Sequence, residues 1–257
     1  MFPKFSILVV AGFAAASLFG QGPGPHMGRG DFQLLRPEFG MANKVVTGAP
    51  YSAQAVTQFT QTLANGDHIQ RTTSASIARD SQGRTRMERS FGAIGALSAE
   101  RGSGKAVMIF DPVGGKSYVL DANSRTARST PIPEARLNPN FHPRHELASV
   151  KSEDLGTQVI QGVTAQGKRE TRVIPAGREG NEKDIDIVTE TWYSPDLQVV
   201  VMSKTSDPRF GESVYQLNSI SRTEPDPALF SVPSDYTVKE GGPRMRMMPR
   251  RGPVSTQ

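Results

Sequence analysis

The 257 residues contain no cysteine. That excludes disulfide scaffolds, zinc knuckles, thiolate enzymes and a lipid-modified cysteine. It also suits an oxidising compartment, where a spare thiol is a liability. Tryptophan occurs once and histidine four times, so imidazole chemistry has few places to sit. Strong amphipathic helices are missing. The stretch that comes closest, Phe91–Arg101, is weakened by Gly92, Gly95 and the neighbouring Gly102, at about 1 kcal/mol each. No apolar run reaches the roughly 20 residues of a membrane span. A basic body is missing too. Of the net +5, Lys4 supplies one charge and Arg244, Arg246, Arg250 and Arg251 supply four, which leaves residues 21–241 formally neutral. Nucleic-acid readers neutralise phosphates with a basic face, and bulk charge gives no reason to expect one here.

What is present is a globular composition, 36% hydrophobic and 21% charged, enough for one sizeable core. Residues 1–20 carry one lysine, an apolar run from Ile7 to Phe19 and then small residues. This is the pattern of an export signal, with cleavage expected near Gly20 or Gln21, so the chain is expected to be periplasmic or extracellular. Residues 21–48 are rich in glycine and proline and read as a flexible leader. Residues 240–257 read as a disordered Met/Arg tail whose four arginines could meet an anionic envelope surface. Between them, residues 49–239 are expected to form a single domain.

That domain is punctuated like a series of hairpins. Ala55, Thr57, Phe59 and Leu63 alternate with Gln54, Gln58, Thr60 and Thr62, a period of two that marks a strand with one wet face. Asn65-Gly66 follows, a strong hairpin signal, and His68–Arg79 returns. Asp80–Arg84 turns into Thr85–Arg89. Val107–Phe110 and Ser117–Leu120 flank a Pro/Gly turn at 111–115. Prolines 131, 133, 139 and 143 interrupt the rhythm, with a short helix expected over Glu146–Lys151. Val159–Val163 and Lys168–Ile174 are expected to pair around a turn at Gln166-Gly167. Lys183–Ser194, Leu197–Lys204 and Glu212–Arg222 complete the strands. The prolines of residues 224–238 are expected to make a short helical turn or an extended edge, with Leu229 and Phe230 plugging the core. The fold class is therefore mainly β: a curved, largely antiparallel sheet, open or half-barrel, of about ten strands and little helix.

Catalytic signals are weak. Gly102-Ser103-Gly104-Lys105 is half a phosphate loop, with Ala99 where the first glycine belongs and Ala106 where Ser or Thr would hold magnesium. His142 and His145 stand three apart across Pro143, which spoils the helix that could aim both at a metal, and Glu146 is the sole nearby third ligand. No Gly-x-Ser-x-Gly elbow occurs. Asp184, Asp186 and Glu190 alternate as the solvated side of a half-buried strand would. No cofactor, metal or enzyme activity is expected. Trp192 and Tyr193 must face opposite sides of their strand, one toward the core and one toward a rim or the outer surface.

Two segments carry a resemblance. The first is Leu155-Gly156-Thr157-Gln158-Val159-Ile160-Gln161-Gly162-Val163-Thr164-Ala165-Gln166-Gly167. The second is Trp192-Tyr193-Ser194-Pro195-Asp196-Leu197-Gln198-Val199-Val200-Val201, closed by Pro227-Ala228-Leu229-Phe230-Ser231-Val232-Pro233-Ser234-Asp235-Tyr236. Their order resembles periplasmic proteins of the outer-membrane lipoprotein carrier type, including the lipid-sensing sigma-factor regulators of that fold, and is similar to secreted proteins of acidobacterial type. The resemblance implies a curved sheet around an apolar cavity. The lid helices of the carriers have no counterpart among the helix signals of this chain. Two functions stay open. One is a binding module for a lipid-like or apolar ligand on a concave face formed by Ile185, Ile187, Trp192, Leu197, Val199, Val201, Tyr215 and Leu217. The other is a structural or interaction protein of the envelope in which the same residues fill a core.

Overall fold

The computed structural model describes residues 45–90, 105–134 and 150–241. The residues read as an export signal, most of those read as a leader, the Phe91–Arg101 segment, the glycines of the half phosphate loop, His142 and His145, and the four arginines near the C-terminus lie outside the described residues. Twelve strands form one sheet: β1 (Tyr51–Thr62), β2 (His68–Arg79), β3 (Thr85–Ser90), β4 (Lys105–Asp111), β5 (Lys116–Asp121), β6 (Thr126–Pro131), β7 (Val150–Ile160), β8 (Val163–Ile174), β9 (Ile185–Ser194), β10 (Val199–Asp207), β11 (Gly211–Ser221) and β12 (Thr237–Glu240). Their order is β12-β6-β5-β4-β3-β2-β1-β11-β10-β9-β8-β7. Every pairing is antiparallel except β12 on β6, which is parallel. The chain thus runs outward from the middle as β1–β6, restarts at the far edge with β7, and meanders back until β11 pairs with β1. The sheet does not close; β12 and β7 are its edges.

Local chemistry explains the turns. Between β1 and β2, Gly66 N–H donates to Leu63 O at 2.9 Å and Leu63 N–H to Asp67 O at 2.8 Å. Only Gly66 in this turn needs positive φ, +89°. Asn65 instead bonds the Asp67 backbone and side chain. This is a three-residue loop rather than the two-residue loop that Asn-Gly alone suggests. Asp80 organises the next turn by accepting from the backbone N–H of Gln82 and Arg84.

The two halves of the sheet bury opposite faces. Cross-strand partners share a face, so the register is decisive. In the β1–β2 and β8–β11 half, the main core holds Tyr51, Ala53, Ala55, Ile77, Val163, Ala165, Leu197, Val199, Val201, Tyr215 and Leu217. Ion pairs also cross the strands of that half: Lys204 pairs with Glu212 at 2.8 Å, while Arg169 pairs with Glu190 at 2.8 Å and with Glu153 at 3.0 Å. In the β4–β6 half, the buried side is the other one. Val107, Ile109, Leu120 and Ala127 form a second cluster, covered by Val232 and Tyr236 of the segment that leads to β12. This C-terminal strap begins with a 3-10 turn, Pro227–Phe230, capped by the Asp226 carboxylate accepting from Ala228 N–H. Phe230 is buried, worth about 2–3 kcal/mol.

The sheet also curls. Arg79, at the end of β2, donates to the Leu197 carbonyl just before β10. Three strand spacings separate these elements in the sheet order, about 14 Å if flat, beyond the reach of one side chain. The shared core at this end draws them together.

Four expectations are corrected. The β7–β8 turn lies at Gln161-Gly162, with φ of +50° and +79°, not at Gln166-Gly167. Gly167 sits in mid-strand because the Trp192 ring lies against it; a Cβ there would stand 2.5 Å from the indole. Val150 and Lys151 begin a strand, not the end of a helix. Leu229 is 38% exposed, leaving Phe230 alone as the plug. The described residues hold twelve strands rather than about ten.

Candidate functional site

The eight residues expected on a concave face separate into groups. Leu197, Val199, Val201, Tyr215 and Leu217 are each no more than 3% exposed and interlock in the main core. Trp192 packs against that core from a half-buried position, and its neighbour Tyr193 is 40% exposed, as the alternation of a strand requires. Ile187 is buried and Ile185 half-buried, both outside the main cluster. The two prominent hollows lie elsewhere. One, of about 340 Å³, opens between the strap and the edge half of the sheet, beside Lys116, Tyr118, Phe230 and Glu240. The other, of about 280 Å³, lies beside Leu229, Gln54 and Ser76. None of the eight lines either one.

The inner face offers a different apolar surface. Register places Ala53 opposite Ile77, Ile77 opposite Met87, Met87 opposite Met108 and Met108 opposite Val119. This is one cross-strand row over β1–β5, and its burial is graded. Ala53 and Ile77 belong to the core, Met87 and Met108 are half-buried, and Val119 is 51% exposed. Phe110, half-buried, lies in the adjacent row. The core of one half therefore runs out as an open apolar strip into the half whose own core is on the other side. Methionine is unbranched and polarizable, so such a strip adapts to an aliphatic chain. The row was missed in sequence because β4 reads as apolar on both faces; only the register shows which of its side chains continue the core of β1 and β2.

Cations flank the strip. The Arg79 row on one side contains Thr85 and Phe110, and the Arg89 row on the other contains Ala75 and Ala106; Arg128 stands opposite Val119. Arg79 is 5% exposed. It donates from Nε and Nη2 to the Ala49 carbonyl at 3.0 and 2.7 Å and from Nη2 to the Leu197 carbonyl. Its guanidinium lies 4.8 Å from the centre of the Tyr51 ring. Among the described residues no carboxylate pairs with it. Burial lowers its pKa and raises that of Tyr51. Carbonyl dipoles and a ring face hold this charge. Elsewhere, burial would raise the Asp207 carboxyl, but hydrogen bonds from Arg209 hold it below its ordinary range.

Among the described residues no group of three or more His, Asp or Glu is placed to hold a metal ion, and no helix is long and apolar enough to cross a membrane. Glu190, one of the three alternating acids, is spent on Arg169, and Asp184 accepts from the Ala176 backbone.

No protein-family model and no curated protein sequence matches the chain. Solved structures do show a likeness. The MucA/MucB complex of Pseudomonas aeruginosa aligns at 14% identity and TM-score 0.44, covering 84% of this chain and 71% of that one. Lipoprotein LppX of Mycobacterium tuberculosis aligns at 14% identity and TM-score 0.34, covering 74% and 94%. A LolA superfamily protein of Nitrosomonas europaea aligns at 9% identity and TM-score 0.32, covering 75% and 94%.

Proposed function

We propose that this chain is a non-enzymatic binding module of the cell envelope that carries or senses a lipid-like, apolar ligand. The observation that supports it is the graded row Ala53–Ile77–Met87–Met108–Val119, which continues the core to an open end. An aliphatic chain laid along it would remove apolar surface from water at about 25 cal/mol per Å², and Arg128, exposed opposite Val119 at the open end, would favour an anionic head. The basic tail of Arg244, Arg246, Arg250 and Arg251 would hold the module near an anionic envelope surface, at about 1 kcal/mol per cation. The neutral body gives nucleic acid no such grip.

Native mass spectrometry of the purified protein should show a co-purified lipid. A fluorescent fatty acid should bind the wild type and bind Met108→Asp at least tenfold more weakly. A clean apo mass together with no dye binding would remove this reading. It would favour the structural alternative, which rests on the tight burial of Leu197, Val199, Val201, Tyr215 and Leu217.

A further inference from the structure

We infer that the hollow beneath the C-terminal strap is a second binding site, for a small zwitterion of the short-peptide type, with a free amine at one end and a free carboxylate at the other. The hollow measures about 340 Å³, at the small end of ligand pockets. Its floor is set by register. Ile109, Tyr118, Ser129 and Glu240 form one cross-strand row over β4, β5, β6 and β12, and two residues further along Asp111 stands opposite Lys116. Tyr118 and Ser129 alternate with Val119 and Arg128 along their strands, so the hollow lies on the opposite face from the apolar row. Its roof is the strap, through Phe230 and Val232.

Charged side chains of both signs line this hollow: Arg84, Lys116, Asp111 and Glu240. Arg84 Nε pairs with the Asp80 carboxylate at 2.5 Å, and its guanidinium lies 5.4 Å from the centre of the Phe230 ring. Neither of its Nη groups makes a hydrogen bond among the described residues. The fork is therefore fixed from behind with one edge left over, an arrangement suited to a carboxylate. Asp111 is partly spent, since its Oδ1 accepts from the Val113 and Gly114 N–H groups at 3.0 and 2.9 Å. Lys116 and Glu240 have no ion-pair partner among the described residues. Their Cα positions stand two strands and two residues apart, about 12 Å. Two flexible side chains can close that gap onto an extended dipeptide, about 7 Å long. A purely anionic ligand would lie against Asp111 and Glu240, and a purely cationic one against Arg84 and Lys116. A ligand with one charge of each sign meets both ends favourably. Between the ends, Ser129 is only 4% exposed, yet its hydroxyl has no hydrogen-bond partner among the described residues. The hydroxyl of half-buried Tyr118 has none either. Each both donates and accepts, which matches the N–H and C=O of a peptide group. Hydrocarbon would leave them unpaired. Val232 and Val238 supply apolar contact for small side chains.

The experiment is an amide NMR titration of the full chain with dialanine, N-acetyl-dialanine, dialanine amide and phosphoethanolamine, in wild type, Lys116→Met and Glu240→Gln. Both substituted side chains are exposed, and matching circular dichroism confirms that the variants fold. Dialanine should shift the amides of residues 116–118, 129–131, 230–232 and 238–241. Blocking either end of the peptide should weaken binding at least tenfold. Glu240→Gln should abolish the preference for a free amine, and Lys116→Met should weaken the preference for a free carboxylate. Because the ligand would join β5 to β12, dialanine should also slow hydrogen exchange at Gly241, whose N–H donates to Ser129 O at 2.6 Å. No shifts with dialanine, equal affinity for the blocked peptides, unchanged affinity in both variants, or tighter binding of phosphoethanolamine than of dialanine each overturns the inference. Fatty-acid binding is read separately and should be the same in both variants, so this hollow and the apolar row stand or fall independently.

Discussion

Arg79 is the side chain whose removal most sharply tests how the sheet is held. Arg79→Met keeps most of the apolar stem and deletes the guanidinium. Three donor contacts to two carbonyls are lost, together with the ring contact at 4.8 Å. A hydrogen bond to a charged group contributes about 1.5–3 kcal/mol and a desolvated cation–π contact up to about 2 kcal/mol. Against this stands the cost of burying an arginine that has no carboxylate partner. The net loss is expected at about 3 kcal/mol, because the Ala49 and Leu197 carbonyls are left without their donor. Arg79→Lys keeps the charge but lacks the planar fork that reaches both carbonyls, so about half that loss is expected. In a chain of this size 3 kcal/mol lowers Tm by roughly 6–12 °C. Urea unfolding gives the free energies, and hydrogen exchange gives the location: protection should fall around residues 197–201, on the far side of the staple. A Met variant within about 0.5 kcal/mol of wild type, or a loss of protection confined to β2, would refute the claim that this residue fastens the curl.

Two further outcomes follow from buried contacts. Asp207 is 4% exposed and Arg209 holds its carboxyl below the ordinary range. Its folded-state pKa therefore lies under the unfolded value of about 3.9, so the stability it contributes is present above that pH and is lost as pH falls through the depressed value. Acid titration of unfolding should show a shallower fall in Asp207→Asn, which will also be less stable than wild type at neutral pH. Gly167→Ala would put a methyl group against the indole of Trp192. Overpacking of this kind costs about 1–3 kcal/mol, and the emission of the single tryptophan should shift with it; an unchanged spectrum and stability would mean that the ring does not rest there.

Strand identities were largely legible in the chain, because alternation and turn residues act within a few positions. His68–Arg79 was readable to the residue, while for the proline-rich closing segment a short helical turn and an extended edge stood as alternatives, and the structure has both, at Pro227–Phe230 and Thr237–Glu240. The β7–β8 turn was misplaced because glycine has two uses that look alike in sequence. At Gly162 it supplies positive φ, whereas at Gly167 it makes room for a ring from the next strand. The candidate site was the least legible part. Its apolar members, Met87, Met108 and Val119, are ordinary strand residues whose shared row exists only once β3, β4 and β5 are in register.

The amino-acid order by itself determined a helix-poor β protein with no thiol chemistry and a formally neutral body, since composition and period-two alternation need no long-range partner to be read. Only the tertiary structure decided which face each half of the sheet buries. That choice depends on the curl fastened by Arg79 and on the strap of Phe230, Val232 and Tyr236, contacts made between residues more than a hundred positions apart.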